Sequence, residues 1–391
     1  MAYYSLFPEL DATIYSHPNR LYMNTGRDEI LELVQERGNT NQRHYPSRIL
    51  IKFKNEEIKS LISDTIGSSI FNNGNNSIES KVALRLTITE PQNLTSTLNI
   101  DTFAVSQSWH EGAGRYSNLP TASNGVTWKY RDNDTTKTEW ITSSLSFQAG
   151  TTGSIDTSVG IDGGGGTWYT GSGFNATEQF LNDDNLDTNL DVTNICTKWS
   201  ASLFAGDVYP IGIPNNGFIL KKPDSTEINT SASFGNLQYF SSDTHTIYPP
   251  KLTFKWDDSK HNSQSLSKNT GELNVSLYRN KEEYNQNDEA LFRVHVRDKY
   301  PTRTFSTTSN YLNVGYFTTS SHYSIRDAYT EEEILPFDDD YTKMSADSEG
   351  MYFKIYMTGL QPERYYRLLF KHKNSEGITI YDNDYYFKVI R

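Results

Sequence analysis

The sequence predicts an all-β protein: a jelly-roll-like β-sandwich followed by a smaller immunoglobulin-like β-sandwich, with few short helices. Three observations predict it. Short runs rich in Val, Ile, Tyr, Phe and Thr recur along the chain, as half-buried strands require. Aromatic residues are abundant, with 26 Tyr and 19 Phe, although hydrophobic residues make up only 35%. The runs are separated by Ser, Thr, Asn and Gly, the residues that tight polar turns demand. At 391 residues the chain is long enough for two cores, given about 100–200 residues per domain.

The elements follow in order. Asp11–Tyr15 alternates apolar and polar positions, as a strand with one buried face does. Glu29–Val34 fits helix or strand, and Ser47–Phe53 reads as a strand. Ile58, Leu61, Ile62 and Ile66 have helical spacing, with Asn55 as N-cap and Gly67 as stop. Residues 70–77 read as a loop. Val82–Thr89 and Thr97–Val105 are strands, and 110–190 is polar and glycine-rich. Regular structure returns at Leu190–Trp199, followed by strands at Gly217–Lys222 and Lys251–Trp256.

A polar, Ser-rich stretch at 257–270 marks a composition break, and all six tryptophans lie before it. This places a first domain at 1–257, a linker at 258–270 and a second domain at 271–391. The second domain shows strands at Glu272–Tyr278, Ala290–Arg297, Met351–Met357, Tyr365–Lys371 and Tyr385–Ile390. Thr358–Tyr366 looks like the turn into a late strand of a fibronectin-type module.

Charge and cysteine content narrow the function. A net charge of −12 and an isoelectric point near 5.2 oppose capture of a nucleic-acid backbone. No stretch is long and apolar enough for a membrane-spanning helix. The first ten residues show neither a basic nor an apolar leader segment. The single cysteine, Cys196, excludes an intramolecular disulfide and a Cys-based zinc site, which fits production in a reducing cytoplasm.

Few residues form a constellation that carries chemistry. His17, His44, His110, His245, His261, His295, His322 and His372 are scattered without metal-ligand spacing. Gly163–Gly166 lacks the Lys of a phosphate loop and reads as a flexible exposed loop or a tight bend. Asp183, Asn185, Asp187 and Asn189 alternate like the first half of a calcium loop. Thr188 stands where that loop needs Gly, and Asn194 where it needs Glu. The Asp183–Asp191 segment therefore reads as a solvated turn, with calcium the open alternative. Glu331–Glu333 and Asp338–Asp340 read as solvated loop charge. Trp109, Trp128, Trp140 and Trp168, with Tyr169, read as core or loop-pinning residues. Their alternative is a platform that stacks on sugar rings. No residue is assigned a catalytic, cofactor or metal role, no cofactor is expected, and the ligand-binding residues stay open.

The ordered set Asp11–Ile14, Asn24–Gly26, Glu32–Val34 and Ser47–Phe53 resembles the opening of the DNRLRE-type β-sandwich domain. Ala83–Leu86, Val105–Gly112 with its Ser108-Trp109-His110-Glu111, and Gly125–Trp128 continue the likeness. Leu190–Trp199, Asn216–Lys221 and Pro249–Phe254 complete it, so that the resemblance covers roughly 9–257. With Lys299–Phe305, Ile334–Asp340 and Gly359–Tyr366, the whole chain looks like structural proteins of contractile-tailed, cyanophage-like tailed phages. A long insertion around 140–185 departs from most members of the domain family.

The resemblance implies a non-enzymatic virion component, assembled in the host cytoplasm and attached at the neck, tail or baseplate. Its partners would be other virion structural proteins and copies of itself, engaged through symmetric interfaces. A carbohydrate-binding adhesin that touches a host surface glycan is the alternative. Neither nucleic-acid binding nor membrane insertion is expected.

Overall fold

The computed structural model describes residues 2–37, 44–71, 80–92, 94, 97–118, 124–134, 136–141, 149–151, 163–181, 185–228, 235–262, 267–268, 271–301, 305 and 315–391. The fold is all-β, dominated by antiparallel sheets, with few short helices. The chain divides into two compact units: Leu6–Asn75 with Lys81–Thr253, and Met1–Ser5, Asn76–Ser80 with Phe254–Arg391.

The larger unit is organised by an antiparallel sheet of six strands. Its order is Asn175–Leu181, Thr97–Ala104, Phe218–Lys221, His44–Lys52 and Leu10–Tyr15, with Gln35–Arg37 also paired to His44–Lys52. His44–Lys52 is central and buried on both faces, which explains why Ile49, Leu50 and Ile51 follow one another without a polar residue between them. Alternation sends Ile49 and Ile51 to one side and Arg48 and Leu50 to the other. The Arg48 side meets Ala12, Ile14, Ile219 and four tryptophans.

Beside this sheet stand two smaller assemblies of the same unit. Asn236–Phe240 pairs with Ile30–Leu33 on one edge and Ile88–Gln92 on the other. Glu29–Val34 therefore resolves as strand. Thr188–Asp191 pairs with Ser80–Leu86. The predicted Val82–Thr89 strand is two strands, Ser80–Leu86 and Ile88–Gln92, that join different sheets.

The predicted helix begins at Asn55 and continues from Leu61 to Ile66 as a π-helix, closed by Gly67 at φ 89°. Its N-cap is Lys54, which makes no side-chain cap. Asn55 instead accepts a hydrogen bond from Asn215 Nδ2 at 2.9 Å. Ile70 and Phe71, expected in a loop, belong to the short helix Ser68–Phe71; residues 72–77 lie outside the described set. Leu190–Trp199 divides into the end of a strand and the start of the helix Thr193–Ala205. That helix buries Ile195, Cys196 and Trp199, and the Trp199 ring packs 4.5 Å from Phe218.

The smaller unit is a two-sheet sandwich. One sheet runs Leu273–Tyr278, Glu289–Asp298, Gly350–Tyr356 and Ser345–Asp347. The other runs Glu283–Asn285, Gly377–Ile390, Arg364–Asn374, Ser321–Asp327 and Glu333–Leu335. Its core is aromatic: Phe292 stacks on Phe353 at 5.4 Å, and Tyr323 stacks on Phe353 at 4.1 Å. Tyr366 Oη donates to the Gln361 carbonyl at 2.9 Å, the corner contact that immunoglobulin-like sandwiches use before a late strand. Residues 2–5 belong to this unit, and Tyr3 lies in its core. Ser267–Lys268, within the Ser-rich stretch, pairs in parallel with Tyr316–Phe317.

Candidate functional site

The four tryptophans and the glycine run singled out from the sequence converge at one place, on the Arg48 face of the larger unit's central sheet. Trp109, Trp128, Trp140 and Trp168 form one cluster there, and each is 3% exposed or less. Indole N–H groups that are buried need acceptors. Trp109 Nε1 donates to the Asn216 carbonyl at 2.8 Å, and Trp140 Nε1 to the Thr127 carbonyl at 3.1 Å. The core reading of these residues is what the structure shows. None presents an open ring face for a sugar, and Tyr169 is buried as well.

Inside the cluster lies a buried ionic centre that sequence reasoning missed. The Arg48 guanidinium is within 4.7 Å of the Trp128 ring centroid and 5.2 Å of Trp168. It grips Glu227 with two bonds, Nε to Oε1 at 3.1 Å and Nη2 to Oε2 at 2.6 Å. Lys221 Nζ reaches Glu227 Oε2 at 3.3 Å and bonds to Asp224. Lys222 Nζ donates to the Gly235 carbonyl at 2.6 Å, and burial brings its ammonium down to about 8. Such a centre is costly to desolvate, so it persists only because the Arg fork, the carboxylate and the rings satisfy one another.

The glycine run completes this centre. Gly164, Gly165 and Gly166 have φ of 119°, 73° and 95°, which a residue with a Cβ rarely adopts. Arg48 Nη1 donates to the Gly165 carbonyl at 2.6 Å. A Cβ on Gly165 would fall 2.5 Å from Trp128 Cζ2. The bend reading holds, but the described run is inward-facing rather than exposed: Gly164–Gly166 are buried. The absence of side chains lets the backbone close over Trp128 and Arg48.

A second cluster joins Asp11, Glu111 and Asp243, one carboxylate oxygen of each lying within 4.8 Å of the others. The Asp11 N–H donates to Glu111 Oε1 at 3.1 Å, and the Ser242 N–H to Asp11 Oδ2 at 2.6 Å. Arg27 bridges Glu111 and Asp243 at 3.3 Å each. Three carboxylates against one guanidinium leave excess negative charge. Burial pushes the Asp11 carboxyl up to about 7, opposed by the Ser242 hydrogen bonds, and burial raises Glu111 too. Among the described residues this is the one acidic set spaced to hold a cation, and Arg27 supplies a positive charge there.

The remaining sequence candidates are dispersed. Asp183 lies outside the described residues. Asp187 Oδ1 accepts the Ile88 N–H at 2.8 Å, and Asn185 Oδ1 accepts the Asp187 N–H at 3.1 Å. Thr188 is buried within a strand, and the Asn189 N–H donates to Glu178. Asn194 lies in the Thr193–Ala205 helix. Glu331 pairs with Arg367 and Glu333 with Arg326. Asp338 accepts the Asp340 and Tyr341 N–H groups, while Asp339 pairs with Lys371 at 2.9 Å. The Cys196 thiol is buried, and burial pushes it well above its ordinary range.

Comparisons with known proteins give no relative: no family model matches the chain, and neither do curated proteins or solved structures. The Trp and Arg48 cluster thus stands on its geometry alone. It fixes loops onto a sheet. Its charged and aromatic groups face one another rather than solvent, so its chemistry is structural cohesion.

Proposed function

We propose that the chain is a non-enzymatic structural component of a phage virion, attached at the neck, tail or baseplate. It acts through symmetric protein–protein interfaces with copies of itself and with other virion proteins. One observation supports this reading most: the outer face of the five-stranded sheet in the smaller unit. Tyr329, Tyr365, Tyr386, Ile378 and Ile380 are all exposed along it or at its margin. The register puts Arg367 opposite Tyr386 and Lys388 opposite Tyr365. Tyr and Arg together are what protein interfaces enrich, because each combines apolar area with directional hydrogen bonds.

The burial of Trp109, Trp128, Trp140 and Trp168 bears on the adhesin alternative, because sugar stacking at those rings needs an open face. The virion reading is tested by immunogold electron microscopy of purified particles with antibody against this chain. Discrete label at the neck, tail or baseplate is expected. Abundant protein in the lysate with unlabelled intact and partly disassembled particles would refute it.

A further inference from the structure

The smaller unit contains a cavity of about 400 Å³, lined by His322, His261, Asp339, Lys343 and Lys373 with the hydroxyl residues Ser259, Thr319 and Ser320. Its most unusual member is His322, only 3% exposed and set at the start of the Ser321–Asp327 strand. Both of its ring nitrogens are buried without a hydrogen bond of good geometry among the described residues, the Asp339 backbone giving only a weaker pull on a ring proton. The nearest carboxylate oxygen, Asp339 Oδ1, stands 3.7 Å from Nε2, beyond hydrogen-bond reach. His261 Nδ1 is orphaned in the same way, while its Nε2 lies 3.1 Å from the Phe317 carbonyl. A buried polar group without a partner is destabilising, so the ring N–H of His322 points to a missing acceptor; His261, whose Nε2–H meets the Phe317 carbonyl, leaves at Nδ1 a lone pair that takes a donor.

The charge around the cavity says what that acceptor is. Lys343 and Lys373 line it, and Lys371 stands beside it, bonded to Asp339 at 2.9 Å. Three lysines face one carboxylate, on a chain whose net charge is −12. Ammonium groups, an imidazole N–H and hydroxyls are all donors, and several converging donors select a ligand with several acceptor oxygens.

We propose that this cavity binds a tetrahedral oxyanion, a phosphate or sulfate group, with Lys343 and Lys373 supplying charge and His322 supplying a ring N–H. The group can arrive as a free ion or as an ester on a sugar. This site is independent of the virion reading and survives its failure. Burial, reinforced by Lys371 and Lys343 and opposed by Asp339, lowers the pKa of His322 below its ordinary value. A bound anion reverses that balance. Binding therefore strengthens as pH falls, as His322 takes up a proton in the complex.

The test is a histidine-ring NMR titration of the full chain with sodium phosphate, sodium sulfate and glucose 6-phosphate, at ionic strength held constant with chloride. His322→Gln assigns the His322 signal. A saturable shift of that signal is expected. The double variant Lys343→Gln, Lys373→Gln should weaken binding about tenfold or more while keeping the fold, since ionised donors make the stronger bonds. Tighter binding of glucose 6-phosphate than of inorganic phosphate identifies the sugar ester; equal affinities identify the free ion. The proposal is overturned if the His322 signal stays still with all three probes, or if the double variant binds as tightly as the parent. Should His322→Gln fail to fold, Lys373→Gln alone, at an exposed position, carries the comparison.

Discussion

The two units solve the same problem with opposite materials. The larger unit holds its Trp cluster around ions: Arg48, Lys221 and Glu227 are essentially sealed from solvent. Although Asp327, paired with Arg364, is buried, the smaller unit keeps most of its described ion pairs at the surface. Arg367 pairs there with Glu331, Asp382 and Asp384, while its interior is filled by Phe292, Phe353, Tyr323 and Phe387. An aromatic core tolerates near-equivalent packings, because dispersion is weakly directional. A buried Arg fork does not, because the carboxylate must meet it in one geometry. The larger unit therefore gains definition from a centre that adds little net stability, and the smaller unit gains stability from area.

Four substitutions sharpen this contrast. Glu227→Gln leaves Arg48 and Lys221 buried without their charge partner and should cost the larger unit about 3–5 kcal/mol. Urea unfolding followed by tryptophan emission reads it, since Trp109, Trp128, Trp140, Trp168 and Trp199 all lie in that unit. A loss below about 1 kcal/mol would mean that the centre is hydrated. Phe353→Ala opens a cavity in the smaller unit and should cost about 3 kcal/mol. Its unfolding should leave the tryptophan signals of the larger unit in place; a simultaneous loss would show that the units unfold together.

Asp11→Asn has an effect that depends on pH. The folded-state value lies at about 7 against an ordinary 3.8, so the folded form keeps a proton that the unfolded chain has released. The stability from this group is complete below about pH 4 and is lost as pH rises through 7. The Asn variant should therefore be more stable than the parent by about 4 kcal/mol at pH 8, and the difference should vanish near pH 4. Thermal melts across that range check the sign, and a parent that stabilises from pH 5 to 8 at this site contradicts it. Arg367→Ala removes only surface pairs and should cost about 0.5–1 kcal/mol, a loss that shrinks in high salt. A salt-insensitive loss would place those pairs in a drier setting than the sheet face provides.

Much of the strand content was legible because it is local. Phe292, Val294 and Val296 are buried at every second position of Glu289–Asp298, and that alternation is written in adjacent residues. His44–Lys52 shows the same clarity through Ile49, Leu50 and Ile51. The Thr193–Ala205 helix was read only as regular structure, because Val192, Thr193 and Ile195 are β-branched and Val192 provides no side-chain cap. Glu29–Val34 stayed ambiguous until its partner strand, more than two hundred positions away at Asn236–Phe240, was known. The ionic centre had no local signal. Arg48 and Glu227 are separated by 179 positions, and Asp11 and Ser242 by 231. Glycine permissiveness marked Gly163–Gly166 as a bend, but nothing nearby says that Arg48 and Trp128 wait on its inner side.

The placement of residues 2–5 has a consequence for how the protein is made. Tyr3 sits in the core of the smaller unit, the Tyr4 ring lies 5.8 Å from Tyr356, and a Cβ on Gly359 would come 3.0 Å from the Ser5 nitrogen. During synthesis this segment leaves the ribosome long before Phe254–Arg391 exists. The larger unit has its whole sequence available first, while Tyr3 and Tyr4 wait in water for their neighbours. Completion of the smaller unit is thus a closing event in time. A fragment that starts at Phe254 would be born with a slot in its core and no chain to fill it.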